Sequence, residues 1–175
     1  MNHKSNKPMS LSMYQSSIPV FIHMLGNLRN ILQKGATHAT NKNFDATILV
    51  NSRLAPDMFA LARQVQIATD MVKGCAARLA GVEPPKYDDT ETTIDELIAR
   101  IDKTISFLTE FSPAQIDNTE DKAITLALRA RTLNFDGKTY LQHFVIPNMY
   151  FHITTTYNIL RHNGVELGKQ DFIGG

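Results

Sequence analysis

The sequence predicts an all-α protein, a four-helix bundle with one short β-hairpin between its third and fourth helices. Four long segments repeat apolar residues at spacings of three and four, the period of a helix with one buried face. A single stretch, residues 123–135, changes to period two. No internal repeat, low-complexity run or extended heptad pattern offers another architecture. Four apolar stripes must be buried against one another, and a bundle does this with the fewest layers.

The first helix is expected over residues 12–34, where Tyr14, Ile18, Phe21, Leu25, Leu28 and Leu32 share one side. Gly35 reads as its end, and the long connection that follows has room for a short helical turn. Pro56 suits the first turn of the second helix, whose buried face is Met58, Leu61, Val65, Thr69, Val72, Ala76 and Leu79. That helix runs to Ala80 and stops at Gly81, and the prolines and acids of GVEPPKYDDTE make a loop. Thr93 followed by Glu96 is a capping box, opening a third helix with Ile94, Leu97, Ile98, Ile101, Ile105 and Leu108 inward. It ends before Ser112 and Pro113. Ile124, Leu126 and Leu128 then alternate with Thr125, Ala127 and Arg129, and residues 132–135 return alongside as a hairpin. The last helix starts near Asp136 and reaches His162 before Gly164, with a kink or break expected at residues 143–147 because of Pro147.

At 175 residues the chain fits one domain, taken as residues 11–175 after a polar, disordered tail over residues 1–10. A domain of this size needs no disulfide or structural metal. The 18 basic and 17 acidic residues leave a net charge of +1, which argues against a nucleic-acid partner. The single Cys75 sits in a helical pattern and reads as a buried, inert thiol in a reducing compartment. No apolar run approaches the roughly 18 residues that span a bilayer, so the expectation is a soluble, cytoplasmic protein with no membrane partner.

The candidate site lies in the fourth stripe. With His152 as reference at about 100° per residue, Leu141, Val145, Asn148, Met149, Thr156, Ile159 and Leu160 fall within about 80° of it. Asn148 and Thr156 sit one turn to either side, and a buried polar group without a partner costs about 1–3 kcal/mol. Partners are expected from Gln64 or Gln66 on the second helix, Arg53 and Asp57 near its start, and Tyr14 on the first. Arg53 at a bundle mouth can grip an anion bidentately. The patch is either a hydrogen-bonded lock on helix register or a ligand site. A catalytic metal site takes three protein ligands, which His152 alone does not supply. His23 reads as solvated, His38 as a loop residue, His3 as part of the tail and His143 as facing away. His162 complements the last helix dipole. No nucleophile elbow or phosphate-binding glycine loop is present, and whether the protein is an enzyme stays open.

The segments RLAPDMFALARQVQIATD (residues 53–70) and YLQHFVIPNMYFHITTTYNILRHNGVELGKQDFIG (residues 140–174) resemble the paired motifs of a domain family of unknown function in the DinB/YfiT-like group. The likeness extends over nearly the whole chain after the tail. The resemblance implies an up-down-down-up bundle, frequent dimers, and in some relatives thiol-dependent transferase or isomerase activity. It also implies a divalent metal held by three histidines, one from the second helix and two as HxxxH on the fourth. His152 matches the second histidine of HxxxH, whereas Asn148 takes the place of the first and Gln64 that of the second-helix histidine. Amides bind transition metals poorly compared with imidazole. The expectation is therefore a relic of a metal site without a cofactor, with a divalent metal at His152 as the alternative. Gln64, Asn148, His152, Thr156, Arg53, Asp57 and Tyr14 would line a polar pocket for an unknown small molecule in a homodimer. A metal- or thiol-dependent transferase or isomerase and a structural dimerisation module are the other readings.

Overall fold

A computed structural model describes residues 11–128 and 131–174, so the expected tail over residues 1–10 and the Arg129 position of the hairpin lie outside the described residues. The protein is mostly helical, with one small antiparallel sheet. None of its helices, among the described residues, is long and apolar enough to cross a membrane.

Helix α1 spans Ile18–Lys42, later at both ends than the sequence suggests. Residues 13–17 form turns instead, and the Ser17 hydroxyl donates to the Met13 carbonyl (2.6 Å). Pro19 sits in the first turn, where its missing N–H costs nothing. Gly35 does not stop the helix. It is buried in mid-helix, where a Cβ would come 3.2 Å from Leu160 Cδ2, so the missing side chain lets two helices approach. The stop is Asn43, which takes the left-handed conformation (φ 56°, ψ 49°) while the Phe44 N–H donates to the Ala39 carbonyl. His38 consequently belongs to α1 rather than to a loop.

The connection contains α2 (Thr47–Asn51), the short helical turn it was expected to hold. Helix α3 spans Leu61–Ala80 and ends at Gly81 (φ 78°). Pro56 and Met58 lie outside it, because the Met58 N–H closes a turn onto the Ala55 carbonyl (3.0 Å) with Pro56 at its second position. Helix α4 spans Ile94–Thr109, and its capping box is complete: Glu96 N–H donates to Thr93 Oγ1 (3.2 Å) and Thr93 N–H to Glu96 Oε2 (3.0 Å). A single turn, α5 (Pro113–Ile116), precedes the hairpin of β1 (Ile124–Leu128) and β2 (Arg131–Phe135), in which Leu126 pairs with Leu133.

Asp136 caps the short α6 (Gly137–Thr139) by accepting the Thr139 N–H (2.7 Å). The chain then widens into a π-helical segment, Tyr140–Val145, before α7 (Ile146–His162). The expected kink or break at Pro147 is thus resolved as a π segment that lets the proline enter at the first turn of α7. A final turn, α8 (Lys169–Ile173), packs on α1.

Each of α1 and α3 packs against both α4 and α7, so the four long helices enclose one core. Phe21, Leu25, Leu28 and Leu32 meet Val65, Val72, Leu97, Ile101, Leu141, Met149, Ile153 and Leu160 there, and Ile124, Leu126, Val165 and Leu167 extend it under the hairpin and the chain end.

Candidate functional site

Gln64 lies in the first turn of α3, the point where the chain leaves the extended residues before Leu61. Its Nε2 donates to the Phe59 carbonyl (3.0 Å), which fixes the amide with its oxygen turned inward. That oxygen, Oε1, accepts from His152 Nδ1 at 2.6 Å. Both residues are buried, at 1% and 8% exposure. Because an amide oxygen only accepts, Nδ1 carries the ring proton and Nε2 keeps its lone pair. Burial and the nearby Arg63 charge both hold the imidazole pKa below its ordinary value, so His152 is neutral at pH 7. Among the described residues Nε2 has no hydrogen-bond partner, and none of the unpartnered side-chain polar atoms is sealed from solvent. The exposed Phe151 ring stands edge-on to the imidazole at 5.2 Å.

The other expected residues do not join this pair. Asn148 is half-buried and its Nδ2 donates to the Phe144 carbonyl one turn back (2.6 Å). Thr156 is buried with its hydroxyl on the His152 carbonyl (3.0 Å). Both share the helix face of His152 but satisfy themselves locally. Gln66 faces a different cluster, donating to Glu91 (2.9 Å) and accepting from Arg63 (3.2 Å). Arg53 and Asp57 are exposed in the turn before α3, and the Arg53 guanidinium reaches only the Met58 carbonyl (3.3 Å). Tyr14 N–H donates to Asp117 (2.8 Å), in the segment that continues to Thr119 beside Leu79. Leu79 is 15 residues along α3 from Gln64, about 22 Å at 1.5 Å per residue.

The donor set does not fit a three-histidine metal centre. His152 Nδ1 is engaged by Gln64, the Asn148 amide by a carbonyl, and among the described residues no three His, Cys, Asp or Glu side chains converge. One opening of about 420 Å³ lies between the end of α1 and Gly164–Glu166, and another of about 490 Å³ lies between residues 81–84 and β1. Gln64 and His152 line neither.

Sequence reasoning missed a larger polar cluster between α3 and α4. Arg100, 4% exposed, donates through Nε to Thr69 Oγ1 (2.9 Å), through Nη1 to Glu91 (2.9 Å) and through Nη2 to Asp70 (3.0 Å), with Asp89 at 3.1 Å. Burial alone would lower its pKa, but Glu91, Asp70 and Asp89 hold it above the ordinary value. Lys73 adds an ion pair to Asp70 (2.8 Å) and lies 3.7 Å above the Tyr87 ring. A charged residue inside the third apolar stripe, facing an acidic loop, is the signal that could have found it.

The profile of a family described as a domain of unknown function, DUF1993, matches residues 13–173. A crystal structure of a DinB family member protein from Shewanella denitrificans is 43% identical, covers 93% of this chain and 92% of its own, and superposes with a TM-score of 0.84. No curated protein matches the chain.

Proposed function

The chain belongs to the DUF1993 family, and from that footing we propose that it is a DinB-like bundle protein that binds a small molecule at the Gln64–His152 pair. One observation carries this reading: the fixed Gln64 amide commits Nδ1 as donor and leaves the His152 Nε2 lone pair as an acceptor beside the exposed Phe151. A ligand with a hydrogen-bond donor and an apolar body suits it. The up-down-down-up course belongs to the same reading. Gln64 near the start of α3 meets His152 while Arg78 near its end bonds Tyr140 (3.0 Å), which supports antiparallel α3 and α7. Arg29–Asp102 together with Gly35–Ile94 supports antiparallel α1 and α4. A cytoplasmic location is supported by the lone buried thiol of Cys75.

The same lone pair favours a second reading, a thiol-dependent transferase in which His152 is the general base. The test is a titration of protein carrying ¹⁵N-labelled histidine with phenols, imidazoles and small thiols. Binding predicts a shift of the His152 Nε2 resonance by one of these classes and its loss in His152→Phe. A resonance unmoved by all three would leave the Gln64–His152 bond as a lock on helix register. Thiolate formation at the site, read by ultraviolet absorbance, would select the transferase.

A further inference from the structure

Among the described residues the sheet has two strands, so β1 has one edge without a strand partner. Only two residues separate Leu128 from Arg131, and a pair flanking so short a loop exchanges both of its N–H···O=C bonds. Bonded and non-bonded pairs alternate along an antiparallel ladder, so Leu126↔Leu133 and Ile124↔Phe135 are bonded too. The N–H and C=O groups of Thr125 and Ala127 therefore point away from β2. They face the groove of about 490 Å³ whose far side is Gly81, Val82, Glu83 and Pro84. Outside the β1–β2 ladder, no backbone hydrogen bond among the described residues uses them.

We propose that β1 of a second copy of this chain lies antiparallel along this edge, joining the two hairpins into one four-stranded sheet. The outward residues flank Leu126 symmetrically, so a twofold axis between the two Leu126 residues lets Thr125 of each copy exchange two hydrogen bonds with Ala127 of the other. An isologous contact demands such self-complementarity. Side chains agree with the register. Leu128 is 43% exposed although it shares a face with the buried Ile124 and Leu126, and the twofold sets it against Ile124 of the second copy. Pairing of five-residue strands covers less than the roughly 1,200 Å² of a stable assembly, so the dimer is weak and concentration-dependent.

Two variants, Thr125→Cys and Ala127→Cys, test the register. Opposed residues of a bonded antiparallel pair have Cα atoms about 5.5 Å apart, inside the range of about 4.4–6.8 Å that a disulfide bridges. Mild oxidation of the two variants mixed together should give several-fold more cross-linked dimer than either alone, because position 125 of one copy opposes position 127 of the other and neither position opposes itself. Cys75 is buried and does not compete. Ala127→Pro removes the outward donor while sparing every bond to β2. Sedimentation of the full chain at submillimolar concentration should show association that this variant loses, with its helical circular dichroism and melting temperature intact. Cross-linking without preference for the mixture, association that survives Ala127→Pro, or a monomer throughout would each overturn the proposal.

Discussion

His152 titrates where stability can report it. Its folded pKa lies below the ordinary value of about 6.5, so between those two values the unfolded chain binds the extra proton. This contribution is complete above about pH 6.5, declines as pH falls through that value towards the folded pKa, and is constant below it. Urea unfolding from pH 7.5 downwards should show the decline, and His152→Gln should flatten it. Gln64→Glu places an anion on Nδ1 and should raise the imidazole pKa, as histidine NMR would show. Gln64→Leu leaves the buried Nδ1–H without an acceptor and should cost about 1–3 kcal/mol. This pair was legible in part: a histidine in an apolar stripe demands a buried partner, the pattern offered Gln64 or Gln66 on the second helix, and only the family resemblance singled out Gln64. Arg53 and Asp57 misled because Pro56 fixes one backbone angle that serves a helix start and a turn equally well.

At the scale of elements, the Arg100 cluster ties the loop after α3 onto both α3 and α4. Arg100→Leu removes the cation from three carboxylates and should destabilise by about 3 kcal/mol, the lower end for a broken buried pair, because Asp70 and Asp89 are each about a third or more exposed. Thr93→Ala removes one side of the α4 cap and should cost about 1 kcal/mol, a fall of about 2–4 °C in melting temperature for a domain this large. Both are read from thermal unfolding. Helix α4 was legible at its start because Thr93 and Glu96 act locally. The end of α1 was not, since Gly35 serves contact with Leu160, a partner 125 residues away in the chain, and the real stop is an asparagine in a glycine-like conformation.

Across the whole molecule, the hairpin and chain end share the core of the long helices, so unfolding should be one transition. Gly137 is where that continuity is tightest: a Cβ would sit 2.0 Å from the Thr119 carbonyl oxygen, a backbone atom with little freedom to retreat. Gly137→Ala should cost about 1–3 kcal/mol by overpacking, measured by denaturant midpoint. Cys75 lies inside the same core, fully buried, with its thiol pKa driven far up by burial. A thiol that is both hidden and protonated cannot attack an aromatic disulfide reagent until its surroundings come apart. The chain thereby carries its own clock for core opening: the rate at which the reagent turns yellow, in native buffer and without any attached label, is the rate or population of that opening.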